Sequence, residues 1–446
     1  MLFALVVALP LHAEELPRNV ILMIPDGMGP AAVTLARLFA PQGRLTLDGH
    51  WVGASITYAE RHLVTDSAAA GTAIASGVRV VNGALNTAPD GRPLLNVMVA
   101  ARQQRQMATG IVVTCILPHA TPAAFSAVAS SRTQYQKIAA QQAALPPDVV
   151  FGGGRRWFLP ADAGGLRTDG RNLLDELRSK DVMVILSREE FDGPLRAPVW
   201  GLFAGGDLSY EMDRIAPDQP SLAEMVGRAI ELLSARPEGF FLMVEGSKID
   251  HAAHANDAAT MVKDILAFDD AFNVAVQFAR RDGGTLVVAL ADHETGGLTI
   301  IGGTWNPEVR GPLRLRAVKA STARMAGLIA DARLDPEAVL SEMAGITDAT
   351  DEELASLRRQ AARAADVMKP LAAIINRRLA LSWSTGGHSG GDVGVYAFGP
   401  GRDRFRGAYP HARIARAIAE LLGLDLHQPA PLPEGIPPPA AAPSYD

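Results

Sequence analysis

Apolar residues gather in short runs along the chain, and several runs stop at a polar or ionisable residue. Asn19–Ile24 is followed by Pro25 and Asp26, residues 110–115 lead to His119, residues 240–244 precede Glu245, and Thr285–Leu290 precedes Asp292 and His293. The runs are nearly unbroken Val, Ile, Leu and Phe rather than alternating with polar residues, the pattern of strands covered on both faces. Between them the period lengthens to that of a helix: residues 256–281 set Met261, Ile265, Phe268, Phe272, Val276 and Phe278 along an apolar stripe. The alternation predicts an α/β fold, a three-layer α/β/α sandwich around a mostly parallel central sheet. In such a sheet ligands bind beyond the carboxyl ends of the strands. The polar residues just named fall there.

Residues 305–381 depart from the pattern, with DPEAVLSEMA and TDEELASLRRQAARAADVMKPLAAIINRRL in place of strands, and are read as a helical cap insertion. The run VGVYAFGPG, residues 393–401, rejoins the sheet and sets His388 just before it. At the start, MLFALVVALPLHAEELP carries a short apolar stretch ending in Leu11-His12-Ala13, which reads as a signal peptide over residues 1–13 and predicts a periplasmic or secreted protein. The α/β domain then spans residues 14–427, and the Pro- and Ala-rich residues 428–446 form an extended, mobile tail. No later stretch offers about 18 uninterrupted apolar residues, so no membrane span is expected.

Composition narrows the chemistry. Lys and Arg number 42 against 48 Asp and Glu, a net charge of −6, which argues against a nucleic-acid-binding surface. Cys115 is the single cysteine and cannot build a thiolate cluster, so any metal is expected to be held by His and carboxylates, and ten histidines are available. Asp26, in IPDGMG, is the first candidate ligand, with glycines that let the backbone turn around it; a turn aspartate capping a helix fits equally well. VEGSKIDHAAH offers Glu245, Asp250, His251 and His254. If this stretch is helical, Asp250 and His254 share a face and can share a metal, although a surface ion pair has the same spacing. In ADHETGG the adjacent Asp292 and His293 can reach one ion only where the chain is irregular, as it is just past a strand. His388 sits among four glycines in STGGHSGGD, with little packing reason for a histidine. Ser67, in TDSAAAGTA, is the candidate nucleophile: it falls in the first turn of an Ala-rich helix, where the dipole favours an alkoxide and a phosphate. A plain helix cap explains it as well.

Seven segments in order, PDGMG, TDSAAAGTA, HATPAAFSAVASSR, GGGRRWF, VEGSKIDHAAH, ADHETGG and TGGHSGGDVGVYAFGPG, resemble the alkaline phosphatase family over residues 19–422. The resemblance implies a phosphomonoesterase with two Zn²⁺ about 4 Å apart, the separation of a two-metal phosphoryl-transfer site. It assigns Asp250, His254 and His388 to the first zinc, and Asp26, Asp292 and His293 to the second, which also meets the Ser67 oxygen. A third site, usually Mg²⁺, would take Asp26, Thr121 and Glu245, an oxygen set suited to a hard cation. Arg132 would clamp two phosphate oxygens; apart from the resemblance it reads as a solvated helix charge. The implied reaction is a double displacement on small-molecule phosphate monoesters through a phosphoserine at Ser67. Relatives are often homodimers. His119 and His251 stand where the enterobacterial form has Asp and Lys, as in vertebrate and some marine bacterial members. The resemblance puts His251 near the phosphate through water and His119 beside the third site, where an imidazole would shift the preference toward zinc or a weaker Mg²⁺.

Other readings predict features that are missing. A sulfatase needs a C/S-x-P-x-R motif, but Ser67 is followed by three alanines. Phosphodiesterases of this superfamily usually present a Thr nucleophile and lack the third-cation set, although the cap could reshape the pocket. A degenerate, non-catalytic metal or phosphate binder would have lost part of the set, and none of it is lost. Gly152-Gly153-Gly154 lacks the spacing of a dinucleotide fingerprint and reads as a turn after a strand.

Overall fold

Within the strand Asn19–Ile24 successive side chains enter two different cores: Ile21 and Met23 join one cluster, Val20, Leu22 and Ile24 the other. The same division runs through Phe240–Glu245 and Thr285–Leu290. Two buried faces are therefore why these runs lack polar alternation. A fully buried aliphatic side chain contributes about 1.5–3 kcal/mol, so the register of these strands is strongly fixed.

The computed structural model describes residues 16–306 and 310–433. The predicted leader, residues 1–13, and residues 434–446 of the predicted tail lie outside the described residues. The central sheet has ten strands: β1 (Asn19–Ile24), β2 (Trp51–Ile56), β3 (Ala108–Ile116), β4 (Val149–Gly153), β5 (Met183–Ile185), β6 (Val199–Leu202), β7 (Phe240–Glu245), β8 (Thr285–Leu290), β9 (Val393–Phe398) and β10 (Gly407–Pro410). Their spatial order is β10-β2-β9-β8-β1-β7-β3-β4-β6-β5. Only β9 runs against its neighbours, β8 and β2, and the other pairings are parallel. The α/β class with a mostly parallel sheet is thus as the sequence predicts.

Helices cover both faces. Ala258–Asp282 buries Met261, Ile265, Phe268, Phe272 and Val276 in one core, whereas Ala412–Leu422 buries Ile414, Ile418 and Leu421 in the other. Four helices, Thr322–Ala330, Pro336–Ala344, Asp351–Gln360 and Ala364–Leu379, lie between two short strands, Leu298–Ile300 and Leu381–Trp383, that pair antiparallel. The Gly-rich segment is more extended than a turn: Gly152 and Gly153 continue β4, and the chain turns at Gly154 with φ +93°. The start of the Pro-rich tail lies on the body, where Leu94 and Pro429 form an antiparallel bridge. Among the described residues no helix is long and apolar enough to cross a membrane.

Candidate active site

The carboxyl ends of adjacent strands deliver the acidic groups. Asp26 follows β1, Glu245 ends β7, Asp292 follows β8, and all three are 0% exposed. Two glycines shape the turn after β1. At Gly27, φ is +74° and an added Cβ would lie 2.8 Å from Asp250 Oδ1; at Gly29 it would meet Glu294 Cγ at 2.0 Å. Only glycine lets this turn pass so close to Asp250 and Glu294, and the Gly27 N–H donates to Asp292 Oδ1 at 3.2 Å.

The segment with Asp250 and His254 is helical, Lys248–His254, so the pair shares a face as its spacing predicts, with His254 Nε2 3.3 Å from Asp250 Oδ2. Glu294–Thr295 and His388–Ser389 pair as short antiparallel strands and bring His388 over the sheet end. Its ring stacks on His293 with centroids 3.6 Å apart.

The histidine tautomers follow from their outer partners. His254 Nδ1 donates to Gly386 O at 2.7 Å, and His388 Nδ1 donates to Thr65 O at 2.9 Å. Both Nε2 atoms therefore turn inward, and they lie 3.2 Å from each other with Asp250 beside them. Thr295 Oγ1 donates to Asp250 Oδ1 at 2.6 Å and so accepts from His293 Nδ1 at 3.1 Å. That leaves His293 Nε2 facing Ser67 Oγ at 3.2 Å, Asp292 Oδ2 at 3.2 Å and Asp26 Oδ1 at 3.6 Å. Lone pairs and carboxylate oxygens converging in this way, with each ring oriented from behind, are what a cation site requires.

Ser67 opens the helix Ser67–Ser76, capped by Asp66, whose side chain accepts from Ala69 N. Arg132 is not a helix charge: it lies beyond the short helix Ala120–Ser126, in a turn. Its Nη1 donates to Asp66 Oδ2 at 3.1 Å and its Nη2 lies 3.3 Å from His119 Nε2, so one carboxylate both caps the Ser67 helix and aims the guanidinium. The His119 and His251 rings meet edge to face, 5.7 Å between centroids. His251 Nδ1 lies near Lys248 Nζ, 3.3 Å, and Asp207 Oδ2, 3.4 Å. Thr121 is fully buried in the helix that His119 precedes and packs against Gly71 of the Ser67 helix.

Burial sets the electrostatics. It raises Asp26 well above the usual carboxylate range, and repulsion from Asp292, Asp250 and Glu245 adds to the shift. Burial likewise raises Asp292, with Asp250 adding to it, and lifts Glu245 to about 7. Asp250 goes the other way: burial opposes it, but His254, His293 and His388 outweigh burial and hold it well below its ordinary value. Burial, with Arg132 and His251 nearby, lowers His119 to about 3 and keeps it neutral. Both oxygens of Asp26, Asp292 Oδ2, Glu245 Oε1 and Thr121 Oγ1 are buried with no hydrogen-bond partner. Unpaired buried carboxylates are costly, so this donor set fits bound cations. Two of its groups, Asp26–Asp292–His293 and Asp250–His293–His388, have ligand atoms within 4.8 Å of one another.

The cost is measurable once cations are removed. A Glu245 carboxyl that titrates near 7 when folded, against 4.5 ordinarily, keeps a proton that the unfolded chain releases. Its stabilisation is intact below about 4.5 and is lost as pH rises through 7. In chelator the unfolding free energy of Glu245→Gln should therefore gain on wild type by up to about 3 kcal/mol across that window. A constant difference between the two, followed by denaturant unfolding at a series of pH values, would contradict this.

All twelve site residues named from the sequence gather at this sheet end. Asp66, Asp207 and Thr295, which orient Arg132, His251 and His293, were not among them. Asp66 and Thr295 lie inside the TDSAAAGTA and ADHETGG segments, whereas Asp207, in AGGDLSY, has no signal of its own.

Known proteins share the sequence and the fold over nearly the whole chain. The family model described as "Alkaline phosphatase" matches residues 17–424. The repressible alkaline phosphatase of Saccharomyces cerevisiae is 34% identical over 93% of this chain and 83% of its own. The cold-active alkaline phosphatase of a psychrophilic Shewanella species superposes with a TM-score of 0.82 at 35% identity, covering 91% of this chain and 99% of its own. A variant of the alkaline phosphatase of the Antarctic bacterium TAB5, with one histidine changed to glutamate, has Mg bound in its M3 site; it is 26% identical with a TM-score of 0.69, covering 93% of this chain and 100% of its own. With likeness of this extent joined to a buried, cation-demanding acidic site at the strand ends, the chain belongs to the alkaline phosphatase family of metal-dependent phosphomonoester hydrolases.

Proposed function

We propose that the chain hydrolyses phosphate monoesters in two displacements through a phosphoserine at Ser67, with two Zn²⁺ and a third divalent cation held at the strand ends. The observation that carries this reading is Ser67 Oγ, at a helix N-terminus, 3.2 Å from the inward-facing Nε2 of His293. Asp250, His254 and His388 would hold one zinc; Asp26, Asp292 and His293 would hold the other; Asp26, Thr121 and Glu245 would hold the third cation. The TAB5 variant with Mg in its M3 site supports a divalent ion there. When bound, the zinc ions supply Lewis acidity to the serine oxygen, the phosphoryl oxygens and the leaving group.

The residues of the chain do the rest. Ser67 Oγ attacks phosphorus in line, the Oγ–P bond forms as the ester P–O bond breaks, and the alcohol leaves with a proton. Water then attacks phosphorus, its oxygen forms the new P–O bond, and Ser67 Oγ departs to regain its hydrogen. The helix dipole favours negative charge on Oγ and on phosphate. Arg132, aimed by Asp66, offers its planar fork to two phosphoryl oxygens. His251, oriented by Asp207, reaches the phosphate through water.

Hydrolysis of matched phosphate monoester, phosphate diester and sulfate ester tests this, with and without chelator. Monoester turnover that vanishes on chelation, with a phosphate adduct on the Ser67 peptide after acid quench, supports the reading; diester or sulfate preference overturns it. Arg132→Ala should raise KM and the inhibition constant for inorganic phosphate with a smaller loss in kcat. Loss of one charge-assisted bidentate contact is worth about 1.5–3 kcal/mol, roughly 10- to 150-fold. An unchanged phosphate inhibition constant would remove Arg132 from the phosphate contact.

A further inference from the structure

The surroundings of Glu245 hold a group that the oxygen-only third site does not use. Val113 is the register partner of Glu245 across β3 and β7, and Cys115, two residues on, shares a strand face with Val113. Cys115 is fully buried, and its Sγ lies 3.4 Å from Glu245 Oε2. The other carboxylate oxygen, Oε1, is buried with no hydrogen-bond partner, and so is Nδ1 of His119. One ligand atom each from Cys115, His119 and Glu245 lies within 4.8 Å of the others. A buried carboxylate oxygen and a buried imidazole nitrogen, both unpartnered and grouped with a thiol, together point to a shared cation rather than to packing alone.

We propose that Cys115 Sγ ligates the third cation together with His119 and Glu245, making it a sulfur, nitrogen and oxygen site that selects Zn²⁺ or Co²⁺ over Mg²⁺. The inference rests on the three-cation reading above and changes the third ion's chemical class. Mg²⁺ prefers oxygen donors and retains water, whereas thiolate and imidazole favour softer divalent ions. A cation on His119 Nδ1 would leave the ring proton on Nε2, which then could not accept from Arg132 Nη2 3.3 Å away, so filling this site would free the guanidinium of the residue that would grip phosphate.

Cys115 is the only cysteine in the chain, so a thiolate-to-metal charge-transfer band can have only one source. The test strips the full-length protein with chelator and titrates it with Co²⁺, following bound cobalt, the near-ultraviolet sulfur-to-cobalt band, and displacement by Mg²⁺. Three cobalt ions per chain are expected, with the band appearing at the equivalent that fills the third site. Cys115→Ser and Cys115→Ala should lose the band and weaken one ion by at least the roughly 10- to 100-fold typical of removing a supporting group. Mg²⁺ should then displace that ion. Three ions bound with no sulfur band, which wild type alone decides, or unchanged affinity in the variants, overturns the sulfur ligand and leaves the three-cation reading standing. A chain that takes up no ions and hydrolyses no monoester overturns both.

Discussion

Ser67→Ala should lower kcat/KM for phosphate monoesters by roughly 10³- to 10⁶-fold, the range seen when a covalent nucleophile is removed from an otherwise intact site. The loss should be nearly all chemical. Ser67 is 1% exposed at the first turn of its helix, and the cap belongs to Asp66, so alanine leaves the helix start intact. The partners of His293 Nε2 on its carboxylate side, Asp26 and Asp292, remain in place, so metal content and phosphate inhibition should change little. No phosphate adduct should form after acid quench, and the residual rate should come from direct attack of water. Stopped-flow and single-turnover assays on the metal-loaded protein check this. A variant within about tenfold of wild type, a barrier change of only 1.4 kcal/mol, would show that water attacks phosphorus directly and that Ser67 serves as a helix-start residue.

The sheet and the metal-ligating groups are legible in the sequence for different reasons. Asn19–Ile24, Phe240–Glu245 and Thr285–Leu290 are readable because both of their faces are covered, so hydrophobicity alone marks them. Asp26, Glu245, Asp292 and His293 are readable because each follows or ends such a run. Asp250 and His254 are readable because i, i+4 spacing is a local property of one helix. The groups that orient them are long-range. Asp207 meets His251 only through the packing of separate segments, and Cys115 meets Glu245 only through the parallel register of β3 and β7. The helical region carries a similar limit. The sequence marks the run from Asp351 as part of a helical insertion without its internal boundaries, and in the fold the chain breaks between Gln360 and Ala364, where Arg363 is extended, while Pro370 lies within the next helix. A proline is a strong local signal, but in this segment tertiary packing overrides it.

Asp26→Asn is expected to move activity and stability in opposite directions. In chelator the carboxylate is fully buried, has no hydrogen-bond partner on either oxygen, and faces Asp292, Asp250 and Glu245. Asparagine keeps the volume and removes the charge, so the cation-free variant should unfold at a higher temperature than cation-free wild type. The gain should grow as pH rises above about 4, where the unfolded carboxyl ionises while the folded one resists. With saturating Zn²⁺ the order should reverse, because wild type gains more from cation binding, and this linkage stabilises by about 2.7 kcal/mol at 100 times Kd. Monoester turnover should fall by at least roughly 10²- to 10³-fold, the scale of losing one preorganised electrostatic group at the transition state. Thermal unfolding in chelator and in zinc, with bound metal counted in each sample, separates the terms. If the variant is less stable than wild type in both conditions, the Asp26 carboxylate is held by the fold and its exposure to like charge is not what cations relieve.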